Sequence, residues 1–249
     1  MNYKHYIPIL IFTLIHFACK KQEVQNTQIC VLIDVTDEKF QDPNFTDENL
    51  PRFLKLMKLD SEAGLYSGGE IKLSLINEIS DSKSKTVSLD PAETGMLGEN
   101  PLNRRDEVNR FKNELKQSFT SLLNEANWGT DASKIYQKVA RELIKMKKKE
   151  ADRYYLIIYS DMLENSGLFS FYGQSWQQQI TKMAADPEVT INELSKKGPA
   201  IPDLSEFEIY VVVSRNQEND EKINLSEQFW TSIFEYQGAT VSFNSILEI

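Results

Sequence analysis

The chain has 249 residues, 41% hydrophobic and 26% charged, enough for one large domain or two small ones with a sizeable core. Its 28 Lys and Arg stand against 37 Asp and Glu, a formal charge of −9, which argues against the basic face of a nucleic-acid binder. Both histidines, His5 and His16, fall within the first 18 residues.

Met1 to Ala18 reads as a signal peptide. Lys4 supplies the positive start, and Tyr6 to Ala18 form an apolar stretch of about 13 residues, shorter than the roughly 20 that span a bilayer as a helix. Removing 18 of 249 residues leaves 231 with a formal charge of −10 and no histidine. That excludes Ser-His-Asp and Cys-His nucleophiles and His-ligated zinc or iron. The stretch ends His16-Phe17-Ala18-Cys19, followed by Lys20-Lys21. This resembles the lipobox of bacterial lipoproteins, in which cleavage before a cysteine is followed by its diacylation. The resemblance implies lipidation at Cys19 and a protein anchored to a bacterial membrane, in the cell envelope, facing the periplasm or the exterior. Phe17 and His16 are bulkier than the family's usual residues, so an uncleaved anchor or an ordinary secretory signal is the alternative. With Cys19 lipidated, Cys30 is left alone in an apolar run and reads as an inert core thiol. Lys20 to Thr27 is a polar tether that reaches roughly 25 Å when extended.

In chain order, Gln28 to Ile33 (QICVLI) is nearly all apolar, as a central parallel strand covered on both faces requires. Asp47 to Leu59 opens acidic and carries apolar Phe53, Leu54, Leu56 and Met57, the mark of a helix. Ile71 to Ile76 alternates after a Gly68-Gly69 turn, and Lys85 to Leu89 can pair with it as a hairpin. Val108, Phe111, Leu115, Phe119 and Leu122 recur at helical spacing, as do Ile135, Tyr136, Val139, Ala140, Leu143 and Ile144 on a helix predicted to start near Thr130. Its end is basic (Lys145 and Lys147 to Lys149), which reads either as a membrane-contact patch or as a solvated helix end complementing the dipole. Tyr154 to Tyr159 (YYLIIY) and Phe207 to Val213 (FEIYVVV) are further buried strands. The stretch 163–205 between them is too long for a crossover, so it reads as an insertion, a helix flanked by aromatic loops. A helix over Leu225 to Tyr236, stopped at Gly238, and an edge strand over Thr240 to Leu247 close the chain. Strands alternating with helices predict one α/β domain over 28–249: a three-layer, doubly wound, mostly parallel sheet flanked by helices.

The first strand ends in Asp34-Val35-Thr36-Asp37-Glu38 and the fourth in Ser160-Asp161, while Gly129-Thr130-Asp131 opens a helix between them. In an open α/β sheet, ligands sit outside the carboxyl ends of the strands where strand order reverses, and an all-oxygen site there suits Mg²⁺, Mn²⁺ or Ca²⁺. These segments resemble a von Willebrand factor A (vWA) domain. QICVLIDVTDE is similar to the family's first strand and its D-x-S-x-S metal-ion-dependent adhesion site (MIDAS) loop. WGTDASKIYQKVARELI is similar to the segment that brings the threonine ligand, and YYLIIYSDM to the strand whose aspartate closes the site. FEIYVVV and EQFWTSIFEYQGA match the closing strand and helix, so the resemblance covers about Thr27 to Leu247. It implies Asp34, Thr36, Thr130 and Asp161 as metal ligands. Glu38 stands where the family has its second serine. If Glu38 points in, the site carries net −1 with a divalent cation and disfavours a partner's carboxylate; if it faces solvent, that objection falls.

The resemblance and the lack of catalytic histidine or reactive thiol point to a membrane-anchored binding module rather than an enzyme, with a protein partner and no nucleic acid. FSFYG and QSW offer aromatic contact surface, or the insertion's own small core. Two alternatives stay open: a metal-independent scaffold of an envelope assembly, and a metal-dependent phosphoester hydrolase.

Overall fold

The computed structural model describes residues 24–249 apart from 43, 78–82, 94–97, 129–132 and 216–218. The signal peptide, Cys19 and Thr130 therefore lie outside the described residues. Strand β1 (Asn26–Asp34) is buried at eight of its nine positions, because it is hydrogen-bonded on both sides by parallel β2 (Gly68–Ile76) and β4 (Arg153–Tyr159). Beyond β2, β3 (Ser84–Leu89) pairs antiparallel as the expected hairpin; beyond β4 run parallel β5 (Phe207–Val212) and edge strand β6 (Thr240–Asn244). The sheet among the described residues has order β3-β2-β1-β4-β5-β6, so strand order reverses between β1 and β4.

Helices α1 (Phe45–Leu56) and α2 (Pro101–Asn124) cover one face; α3 (Ile135–Lys147), α4 (Trp176–Ala185), α5 (Pro187–Ser195) and α6 (Asp220–Tyr236) cover the other. Alternate residues of β1 feed the two cores. Ile29, Val31 and Ile33 pack with Phe53, Phe111 and Leu115, while Cys30 and Leu32 pack with Val139, Leu143 and Trp230. The result is a three-layer, mostly parallel α/β fold. Cys30 is fully buried, and burial pushes its thiol up to about 12, as an inert core thiol requires.

Several boundaries differ from expectation. Gly68 and Gly69 lie inside β2 rather than in a turn before it. Gly69 has φ +147°, and a Cβ there would stand 1.9 Å from the Thr27 carbonyl oxygen, so glycine is required by close approach of two paired strands. Asn26 and Thr27, assigned to the tether, belong to β1, since the Gly68 amide donates to the Gln25 carbonyl at 2.9 Å and extends the ladder downward. Helix α1 ends three residues early. The Leu59 amide bonds the Leu54 carbonyl at 2.8 Å and Lys58 takes φ +59°, a Schellman-type stop with lysine where glycine is usual. Helix α3 starts at Ile135, five residues after Thr130.

The insertion holds two helices, not one, because Asp186 and Pro187 stop and restart the chain: the Asp186 carboxylate accepts from the Val189 amide at 3.1 Å. Phe169 and Phe171 are buried in the main core, 5.0 and 6.3 Å from the Phe229 ring, so they form neither a separate core nor an exposed surface. The basic end of α3 is internally paired: Lys145 with Glu142 at 3.1 Å, Lys147 with Glu206 at 2.7 Å and Lys149 with Glu70 at 2.5 Å. That pairing favours the solvated helix end over a bare membrane patch. Among the described residues no helix is long and apolar enough to cross a membrane.

Candidate acidic site at the ends of β1 and β4

The reversal falls between β1 and β4, the point at which an open α/β sheet generally leaves a crevice outside the carboxyl ends of its strands. Asp34 closes β1 there with no solvent exposure. Its Oδ1 accepts from the Thr36 amide at 3.0 Å and the Thr36 hydroxyl at 2.8 Å. Its Oδ2 accepts from the hydroxyls of Ser133 at 3.0 Å and Ser160 at 2.7 Å. Four donors thus meet the four lone-pair sites of one carboxylate. Burial raises the Asp34 carboxyl above its ordinary value, and these hydrogen bonds oppose the rise.

Asp161 follows Ser160 at the end of β4, and its Oδ1 accepts from the Leu163 amide at 3.0 Å. Its carboxyl is pushed up to about 6, first by burial and then by the charges of Asp34 and Asp37, with Lys222 pulling the other way. The next residue, Met162, is buried in the left-handed region at φ +59°. Such a conformation persists only where the surroundings over-determine it. Here the Met162 carbonyl accepts from the Ser226 hydroxyl and the Trp230 indole, both at 2.9 Å, and its amide donates to the Ser160 hydroxyl at 2.9 Å. Helix α6 thereby fixes the turn that aims Asp161.

The loop after β1 is held from the other face. Asp37 accepts from the Lys39 amide at 3.0 Å, starting a 3₁₀ turn over Glu38–Gln41. Phe40 from that turn lies edge-on to Tyr159, 5.7 Å between ring centres, and Tyr159 meets Phe45 at 4.7 Å. The Tyr159 hydroxyl donates to Asn49 at 2.7 Å. On the rim, the Lys222 ammonium sits 4.5 Å over the half-exposed Tyr172 ring and 5.8 Å from Trp176. Asp161 and Asp34 add to the burial that raises the Tyr172 phenol to about 12, which places this ring in the field of the site.

Of the expected residues, the structure brings Asp34, Thr36 and Asp161 together. Glu38 is exposed at the start of the 3₁₀ turn, and the third acid felt by Asp161 is its neighbour Asp37. Ser133 and Ser160 were not foreseen as partners of Asp34, although both stand inside the quoted motifs. Glu164 was missed as well. Wholly buried, it turns back so that Oε2 accepts from the Tyr136 amide at 2.8 Å, capping α3 from outside the helix. Burial pushes its carboxyl up to about 7 against the pull of Ser166 and the α3 amides.

Among the described residues no three His, Cys, Asp or Glu side chains are grouped to hold a metal. The oxygen groups gathered here are the carboxylates of Asp34 and Asp161 with the hydroxyls of Thr36, Ser133 and Ser160, and the repulsion that Asp34 and Asp37 exert on Asp161 is what a hard divalent cation would relieve. Asp34 orients the hydroxyls of Thr36, Ser133 and Ser160 by accepting hydrogen bonds from them, which leaves their oxygen lone pairs and the Asp161 carboxylate as the groups that would face such an ion.

No protein-family model and no curated protein matches the chain. Solved structures do. The human COPII-coat protein Sec24c is 10% identical over 92% of this chain and 31% of its own, with TM-score 0.39. The PilB minor pilin from Streptococcus sanguinis is 10% identical over 89% of this chain and 57% of its own, with TM-score 0.41. A variant of that pilin gives 11% identity, 92% and 59% coverage, and TM-score 0.44. The chain spans less than two thirds of each of these structures. Likenesses at this level carry no argument about function.

Proposed function

We propose that the chain is a vWA-like, doubly wound binding module, lipid-anchored through Cys19 in a bacterial cell envelope, that holds a protein partner at the crevice between β1 and β4. The observation that carries this reading is the buried Asp34 carboxylate, ringed by the Thr36, Ser133 and Ser160 hydroxyls beside Asp161. Asp34, Thr36, Thr130 and Asp161 would hold Mg²⁺, Mn²⁺ or Ca²⁺, with exposed Glu38 outside the ligand set. Two carboxylates then balance the two charges of the cation, which supplies a Lewis-acidic point for a carboxylate oxygen of the partner. Tyr172, Trp176 and Lys222 supply the adjoining contact surface.

The test is thermal unfolding of the chain from Lys20 onward in EDTA, Mg²⁺, Mn²⁺ or Ca²⁺. Saturation to one hundred times Kd adds about 2.7 kcal/mol, a rise of several degrees, and Asp161→Ala should abolish it. A midpoint indifferent to all three metals sinks the metal-dependent form. One observation favours a metal-independent scaffold instead: the Asp34 carboxylate is already engaged by four donors, so it is satisfied without a cation. On that reading partner capture survives EDTA.

A further inference from the structure

The β2–β3 hairpin packs one face into the core through Ile71, Leu73, Val87 and Leu89 and leaves the other polar. On that second face Lys72 stands opposite Thr86, and Ser74 opposite Ser84. Helix α3 borders this strip without roofing it, and a groove of about 400 Å³ runs between them, lined by Lys72, Ser84, Thr86, Lys145, Lys148 and Lys149 together with the carboxylates of Glu70 and Glu142.

The charges in this groove do not balance. Glu142, 1% exposed, receives three ammonium groups: Lys72 at 2.5 Å, Lys145 at 3.1 Å and Lys138 at 3.4 Å. Lys138 is itself only 6% exposed. Of the groove's own lining, Lys72, Lys145, Lys148 and Lys149 stand against Glu70 and Glu142, so with Glu70 paired to Lys149 and Glu142 shared by Lys72 and Lys145 two positive charges are left over. Against burial, Glu142 holds Lys72 above its ordinary value, whereas burial drags Lys138 below it. In a chain of net charge −9, such a local excess of cations around hydroxyl-bearing strands is unusual. A phosphoryl group near pH 7 brings close to two negative charges and three strong acceptor oxygens, which a single carboxylate does not.

We propose that this groove binds a phosphate dianion, free or as a phosphomonoester, held by Lys72 and Lys145 with the hydroxyls of Ser84 and Thr86. The site lies away from the acidic crevice and does not depend on it. The experiment is titration calorimetry of the chain from Lys20 with inorganic phosphate, at ionic strength fixed with chloride and with acetate as comparator. Saturable binding is expected below about 20 mM phosphate, with none for acetate. Lys145→Gln removes a half-exposed side chain that the core does not need, and should weaken binding about tenfold; Lys72→Gln should do the same. No saturable heat in the wild type, equal binding of acetate, or unchanged affinity in a folded Lys145→Gln protein would each overturn the proposal.

Discussion

Glu164 ties a buried carboxylate to the first turn of α3, and its ionisation has a consequence for stability. An unfolded chain loses that proton near the ordinary value of 4.5, while the folded chain keeps it to about 7. The folded state therefore holds the extra proton between those limits. The stabilisation is complete below pH 4.5 and is lost as pH rises through 7, a change of about 3 kcal/mol at 1.36 kcal/mol per pKa unit. Glu164→Gln keeps an oxygen for the Tyr136 amide but cannot ionise. Its urea midpoint should fall less than that of the wild type between pH 4.5 and 8, the residual slope belonging to Asp161, raised in the same direction. Equal slopes would mean that Glu164 does not titrate there. None of this was legible in the sequence, where Glu164 is one acid among many and only the fold brings it to a helix start 28 residues away.

The insertion divides its aromatic residues between two jobs. Phe171 is wholly buried among Phe169, Trp176 and Phe229, whereas Tyr172, the next residue, is 47% exposed on the rim of the crevice. Phe171→Ala should cost about 3–5 kcal/mol of stability. Tyr172→Ala should stay within about 0.5 kcal/mol of the wild type by denaturant unfolding, while weakening partner capture. Comparable losses of stability in both would place Tyr172 in the core too. Alternation alone could not assign these two side chains, because the segment is neither strand nor helix and lacks a period from which to read a face. The regular elements were legible for the opposite reason. QICVLI and YYLIIY have no polar face to offer water, and the apolar spacing of Val108 to Leu122 turns only one stripe inward.

Across the whole molecule, what the sequence made readable was the order of elements and the crevice at the strand reversal, which follows from topology once β1 and β4 are known. Asp34 and Asp161 could be placed side by side because each stands at or just past the end of a central strand, and Thr36 because the vWA resemblance set it two residues after Asp34. Ser133 and Ser160 could not be placed, since a hydroxyl carries no pattern until a buried carboxylate is found beside it. Lys145 reads only as part of a basic, solvated helix end, because the strip of β2 and β3 that brings Lys72 to the same Glu142 carboxylate exists only in three dimensions. Helix α3 joins these two places. Its start is held by Glu164, three residues after Asp161, and Glu142 lies six residues beyond Tyr136, about 9 Å along the axis at 1.5 Å per residue. If a cation at the strand ends shifts α3 and so changes the proposed phosphate affinity of the groove, phosphate changes the affinity for the cation by the same factor. Phosphate titrations with and without Mg²⁺ read that factor directly, and a ratio of one in both directions would mean that α3 stays in place while each end does its work alone.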